Sequence, residues 1–263
     1  MDLDFIVINF MIYSIIGYCC EVIYCSVPAR RLVNRGFLYG PWLPIYGFGA
    51  IIVIVFLEPF RKHWWMVFIF GLILTSALEY FTSWALEKIF HIKLWDYSKH
   101  RININGRVCA LNSTLFGIMG LFGVYVADPF FAPLILKIPE VIRHYLGDLI
   151  IMVFAIDATA SIIHMSAFRK KIEEIHEKLE AVKAIEPGEL RDRLEAEIEK
   201  TREKVSETSR HILSAHPTIS ARNEEIREEL EIFRTYLENR KKIKVMYKKA
   251  LKANRADFES KRD

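Results

Sequence analysis

Residues 35–60 read RGFLYGPWLPIYGFGAIIVIVFLEPF. The second half is an apolar run of the kind that crosses lipid. The first half should start that helix, yet it carries Gly36, Gly40, Pro41, Pro44, Gly47 and Gly49, interleaved with Phe37, Tyr39, Trp42, Tyr46 and Phe48. Proline removes a backbone donor, and glycine is a poor helix former. Broken backbone at membrane depth is tolerated only where protein or a water-filled cavity covers the freed polar groups. Two readings are open at this point. One is a kinked, tightly packed helix start in which glycines let helices approach closely. The other is a broken helix that lines a substrate site.

Further along the chain the same apolar character recurs. A crossing needs about 20 mostly apolar residues. Five segments meet this: Asp4 to Cys25, Pro41 to Phe60, Trp64 to Phe90, Val108 to Ala127 and Tyr145 to Phe168. The segment DPFFAPLILKIPEVIRHY, residues 128–145, is apolar but interrupted by Pro129, Pro133 and Pro139. It reads as an interfacial or re-entrant piece. The acidic start MDLDFIV has no basic region ahead of its apolar run and reads as a retained first span.

Basic residues in short loops orient such a chain. The first loop has Arg30, Arg31 and Arg35, and the third has Lys88, Lys93, Lys99, Arg101 and Arg107. The second has only Arg61 and Lys62, and the fourth only Lys137 and Arg143. Loops one and three are therefore expected in the cytoplasm. The N-terminus is expected outside and the C-terminus inside, in a multi-pass protein of the cell membrane.

After FRKK, residues 168–171, the pattern becomes that of charged helices with narrow apolar stripes. Ile172, Ile175, Leu179 and Val182 start the stripe. Leu190, Leu194, Ile198 and Val205 follow, and then Ile226, Leu230, Phe233 and Leu237. Pro187-Gly188 and Pro217 are the breaks. The expected fold is thus an all-α, polytopic membrane bundle of five transmembrane helices, residues 1–168, with a cytoplasmic helical, coiled-coil tail, residues 169–263. The basic end of the tail, residues 239–262, is open to three readings: a solvated coiled-coil end, contact with anionic lipid, and, most weakly, nucleic acid. With no recognition motif beside the charge, no nucleic-acid partner is expected. The net charge of +4 averages two unlike regions and describes neither.

Four cysteines, Cys19, Cys20, Cys25 and Cys109, lack the paired spacing of a zinc site and read as reduced, buried apolar side chains. No metal, cofactor or catalytic set is expected.

The polar residues at lipid depth are more informative. Glu21 lies near the inner end of span one. Glu79 lies in the inner half of span three, with Thr75, Ser83 and Glu87 at steps of four. Asn112 lies just inside span four. Asp157 lies within span five, with Ser161 and His164 at helical spacing. A charge at mid-bilayer costs at least about 2.5–3.5 kcal/mol, so each acid should face a partner or a cavity. The third loop, LWDYSKHRININGRV, supplies Trp95, Asp96, Tyr97, Arg101, Asn103, Asn105 and Arg107. One polar pocket on the cytoplasmic side is expected. In it Glu21, Glu79 and Arg107 converge behind a wall of Tyr39, Tyr46, Trp95 and Asp96.

The stretches GYCCEVIY, RGFLYGPWLPIYGFGA, LEYFTSWALEKIFHIKLWDYS and NINGRVCALNSTLFGIMG together resemble the bacterial ABC-transporter type IV membrane family over about residues 5–165. The positions that carry this resemblance are Glu21, Gly36, Tyr39, Gly40, Pro41, Pro44, Tyr46, Gly47, Glu79, Trp95, Asp96, Tyr97, Asn105, Gly106 and Arg107. It implies a permease-like integral membrane protein and brings neither a substrate nor a catalytic set. The chain contains no GxxxxGK[ST] loop, so an ATP-driven mechanism would need a separate ATPase chain. Five spans are few for a transport path, and a homo-oligomer is expected. Two other functions stay open. One is a membrane-embedded enzyme acting on a lipid or small molecule, with carboxylates and His164 for acid–base work. The other is an anchored coiled-coil scaffold or sensor.

Overall fold

The computed structural model describes residues 2–30 and 32–183, and beyond them 196–198, 200–201, 205, 209–216, 219–221, 227 and 230–232. The chain divides into two compact units. The first is Met1–Ala167 with Ser214–Ser220, and the second is Phe168–Leu213 with Ala221–Asp263.

The first unit is a helix bundle. Helix α1 spans Leu3–Ala29, with Asp2 accepting the Phe5 amide at 2.8 Å as N-cap and Arg30 closing the other end in a left-handed conformation. Helix α2 spans Pro44–Leu57, so Pro44 occupies the first turn, where no donor is lost to it. A 3₁₀ turn, Glu58–Phe60, follows. Helix α3 spans Trp64–Phe90. Strands β1 (Ile92–Lys93), β2 (Asn103–Ile104) and β3 (Val108–Cys109) are two residues each, with β2 and β3 forming an antiparallel hairpin. Asn105 and Gly106 turn this hairpin with φ of 54° and 68°. Asn-Gly is the sequence signal for such a turn.

Helix α4, Ala110–Phe122, runs through a π turn, Gly123–Ala127, into α5, Asp128–Leu136. This corrects the reading of residues 128–145 as an interfacial piece. Pro129 sits in the first turn of α5, where it is tolerated, and the π turn ahead of it keeps the helices continuous. The result is a single apolar span of 27 residues, Ala110–Leu136. Helix α6, Glu140–Lys183, starts before the expected Tyr145 and does not stop at Phe168.

Among the described residues, four helices are long and apolar enough to cross a membrane: Leu3–Val27, Trp64–Phe90, Ala110–Leu136 and Glu140–Lys178. The expected second span is the shorter apolar helix Pro44–Phe60. The 14 residues of α2 rise only about 21 Å, less than the roughly 30 Å hydrocarbon core.

The principal helix contacts are α3 with α4 and α1 with α2. In the second of these pairs the approach is very close. A Cβ at Gly17 would meet the Tyr46 side chain, and one at Gly47 would meet Ser14 and Phe10. Val53, Leu57, Val67 and Val124 form one buried cluster, and Phe5, Ile8 and Ile135 another. Large apolar side chains such as Phe56, Trp64, Phe81 and Trp84 remain exposed, as a surface facing lipid requires. Cys19 and Cys20 are exposed as well, against the expectation of burial, and all four cysteines are free.

In the second unit, Ile172, Ile175, Ile198, Val205 and Leu230 of the expected apolar stripe are buried. Lys178 pairs with Glu174 and Glu197, both at 3.1 Å. The remaining stripe positions beyond Val182 and the basic end, residues 239–262, lie outside the described residues.

Candidate functional site

The antiparallel course of the helices brings the end of α1, the start of α2, the end of α3 and the start of α4 to one end of the bundle. The irregular stretch before α2 is held there from both sides. Asp157 of α6 accepts the backbone amides of Tyr39 at 3.0 Å and Gly40 at 2.9 Å, and Ser161 adds a hydroxyl at 3.4 Å. On the α1 side, Leu43 donates its amide to the Ser14 carbonyl at 2.9 Å, and Val33 donates to Ser26 Oγ at 2.9 Å. The freed backbone groups of the glycine- and proline-rich entry are thus met by protein, and Asp157 is satisfied by the same contacts. The Tyr39 ring also packs on His164, with ring centroids 5.8 Å apart and the planes tilted.

Glu21 belongs to a second cluster. Tyr46 donates its hydroxyl to Oε1 at 2.8 Å, Arg35 approaches Oε2 at 3.6 Å, and Cys25 Sγ lies 3.6 Å from Oε2. Arg35 also donates to the Ala215 carbonyl at 3.1 Å. Arg35 was counted in the sequence only as a loop charge; its position in a loop beside an intramembrane acid was the available signal.

Glu79 anchors the third cluster. It is 3% exposed. Tyr97 donates to its Oε1 at 3.2 Å, while Asn112 donates to the Tyr97 hydroxyl at 2.6 Å. Burial, then the Glu79 carboxylate, pushes Tyr97 well above the usual phenol range, so it remains a donor. The other oxygen of Glu79, Oε2, is buried and has no hydrogen-bond partner among the described residues. Glu79 and Tyr46 both line a cavity of about 90 Å³ between α1, α2, α3 and α4, walled otherwise by Thr75, Phe116 and other mostly apolar side chains. Below it, Ser76 and Ser113 join α3 to α4 at 2.7 Å.

Arg107 heads a fourth cluster, apart from this cavity. It pairs with Glu87 at 2.6 Å and lies 5.3 Å over the Tyr80 ring. Trp95 Nε1 donates to the Arg107 carbonyl at 3.1 Å, and Asn105 donates to the Tyr80 hydroxyl at 2.9 Å. Asp96 caps its own turn, accepting the Ser98 amide at 3.0 Å and the Ser98 hydroxyl at 2.5 Å. Glu87 is two turns along α3 from Glu79, roughly 12 Å by helix rise.

Of the expected pocket residues, Tyr46 and Glu79 line the cavity; Glu21 is bonded to Tyr46, and Tyr97, itself held by Asn112, to Glu79, all three outside its lining. Trp95, Asn105 and Arg107 form a separate lock on the third loop. Asp96 braces that loop, and Tyr39 with Asp157 braces the entry to α2. Arg107 does not meet Glu79, because Glu87 is nearer to the loop and takes its charge. Among the described residues, no three His, Cys, Asp or Glu side chains gather as a metal-holding group.

The family described as "Putative ABC-transporter type IV" matches residues 8–162, which include every residue of these clusters except His164 and Ala215. No curated protein and no solved structure matches the chain. The chain belongs to that family and is a multi-pass membrane protein.

Proposed function

We propose that this family member is a permease-like transport component whose Glu79 cavity receives the transported species from the cytoplasmic side. The observation that carries the reading is the unpartnered Oε2 of Glu79 on a cavity wall between four helices. A buried polar atom left without a partner costs free energy, and a ligand donor, a water or a proton would relieve it. Tyr97, itself held by Asn112, donates to the other oxygen, so the free one has a fixed position. Glu21 and Tyr46 form the second polar edge of the site. Arg107, Trp95, Asp96 and Asn105 fasten the loop that supplies Tyr97, and Tyr39 with Asp157 fastens the entry to α2.

The loop charges support placing this end in the cytoplasm of the cell, with the N-terminus outside. Residues 1–168 would form the membrane domain, and 169–263 a cytoplasmic coiled-coil tail whose basic end meets anionic lipid. With no phosphate loop in the chain, a separate ATPase would supply energy, and identical copies would complete the path.

The test is mass spectrometry of small molecules that co-purify with the protein, followed by counterflow of the species found in proteoliposomes. Wild type should retain a species that Glu79→Leu loses at least tenfold, and should exchange it across the bilayer. Equal retention by both proteins, or binding without exchange, would remove the permease reading.

A further inference from the structure

At the opposite end of the bundle lies a second cavity, of about 360 Å³, between α1, α2, the 3₁₀ turn and α5. Its body is apolar, with Phe5, Ile51, Ile54 and Ala132 among its walls. Its polar lining is Asn9, Glu58, Arg61 and Asp128. None of these belongs to the clusters described above.

Two facts define what this cavity can hold. Arg61 is committed within the protein: one terminal nitrogen lies 3.2 Å from Glu58 and 3.9 Å from Asp128, and the other donates to the Val124 carbonyl at 3.1 Å. Two carboxyl groups thus share one guanidinium, and with both ionised one negative charge is in excess. Asn9 is 4% exposed, and its Nδ2 donates to the Phe5 carbonyl at 3.2 Å, which orients the amide. Its Oδ1 is buried and has no partner among the described residues. The cavity wall therefore holds a buried, unfilled acceptor and two carboxyl groups for one guanidinium, with an apolar chamber beside them. An anion would meet a guanidinium already engaged. A neutral apolar molecule would leave Oδ1 unsatisfied.

We propose that this cavity binds an organic cation: an ammonium group that donates to Asn9 Oδ1 and neutralises the Asp128 and Glu58 side, with its apolar body against Phe5 and the α2 isoleucines. The ammonium supplies both the missing donor and the missing charge in one group.

The probe is radiolabelled n-butylammonium, measured by equilibrium dialysis against the full-length protein in nanodiscs of zwitterionic lipid, with empty nanodiscs as baseline. Saturable binding of one butylammonium per chain is expected, with n-butanol competing at least tenfold more weakly. Asn9→Leu and Asp128→Asn should each weaken binding at least tenfold, and Glu79→Gln should leave it unchanged. Asn9→Asp keeps the acceptor and adds charge, so it should bind at least as tightly as wild type even if Asn9→Leu fails to fold. Equal competition by butanol, no saturable binding, wild-type affinity in Asp128→Asn, or loss of binding in Asn9→Asp would overturn the proposal. Loss of binding in Glu79→Gln would place the ligand in the other cavity and overturn it too. Because the two cavities share no polar group, failure here leaves the transport reading of the Glu79 cavity standing.

Discussion

Asp157 of α6 accepts the Tyr39 backbone amide at 3.0 Å, across 118 residues of sequence. An acid within a lipid-crossing helix and a stretch of broken backbone thereby solve each other's problem. The carboxylate gains donors, and the amides of Tyr39 and Gly40 gain an acceptor.

The first prediction tests that exchange. Asp157→Leu leaves two amides unmet and should destabilise the bundle by about 1–3 kcal/mol. Asp157→Asn keeps one acceptor oxygen and should lose less. Thermal unfolding in detergent would separate the two variants; equal stability of Asp157→Leu and wild type would show that the contact contributes nothing.

A second prediction concerns the lock on the third loop. Arg107 and Glu87 are mostly buried, 13% and 11% exposed, so removing either leaves a charge without its partner. Arg107→Gln or Glu87→Gln alone should each cost about 3–5 kcal/mol. The double variant should cost much less than the sum. Additive losses in that cycle would mean the pair is not coupled. Arg107→Lys should not restore stability fully, because the planar guanidinium also stacks on Tyr80.

A third prediction concerns Glu79. Glu79→Gln keeps an acceptor for the Tyr97 hydroxyl and should fold nearly as well as wild type. Glu79→Leu strips Tyr97 of that acceptor and should cost about 1–3 kcal/mol. If the Gln variant retains the fold but loses the co-purifying species, the role of Glu79 requires a carboxyl group. If Glu79→Leu functions fully, the acid only packs.

The fourth prediction concerns orientation. With Cys19 and Cys20 replaced, because both are exposed and free, a cysteine at Ser98 should react with a membrane-impermeant label only from the cytoplasm. Labelling from outside would invert the topology and move the Glu79 cavity to the other face.

The membrane fold is legible in the sequence because lipid imposes simple rules on length and polarity. The long apolar runs follow from those rules, and the buried positions Ile172, Ile175, Ile198 and Val205 from the helical period of an apolar stripe. Pro129 misled for a physical reason: a proline reads as an interruption, and only the structure places it in a first helical turn behind a π turn. The acids Glu21, Glu79 and Asp157 are visible as residues in need of partners, but the partners are not. Glu79 takes a tyrosine from a loop, Asp157 takes main-chain amides, and Arg107 takes Glu87, the acid nearer its own loop. Pairing of this kind depends on where loops fold back, and hydropathy carries no information about it. The Asn105-Gly106 turn did carry a local signal, which an all-helical reading passed over.

That same hairpin has a consequence for the lifetime of the protein. Asn-Gly is the dipeptide most prone to spontaneous deamidation, because the glycine amide attacks the asparagine side chain to form a cyclic imide. Here both reactants are engaged elsewhere. The Gly106 amide donates to Asn103 Oδ1 at 2.9 Å, and the Asn105 side chain donates to Tyr80 at 2.9 Å. The turn that closes the third loop is thereby shielded from covalent ageing for as long as it stays folded.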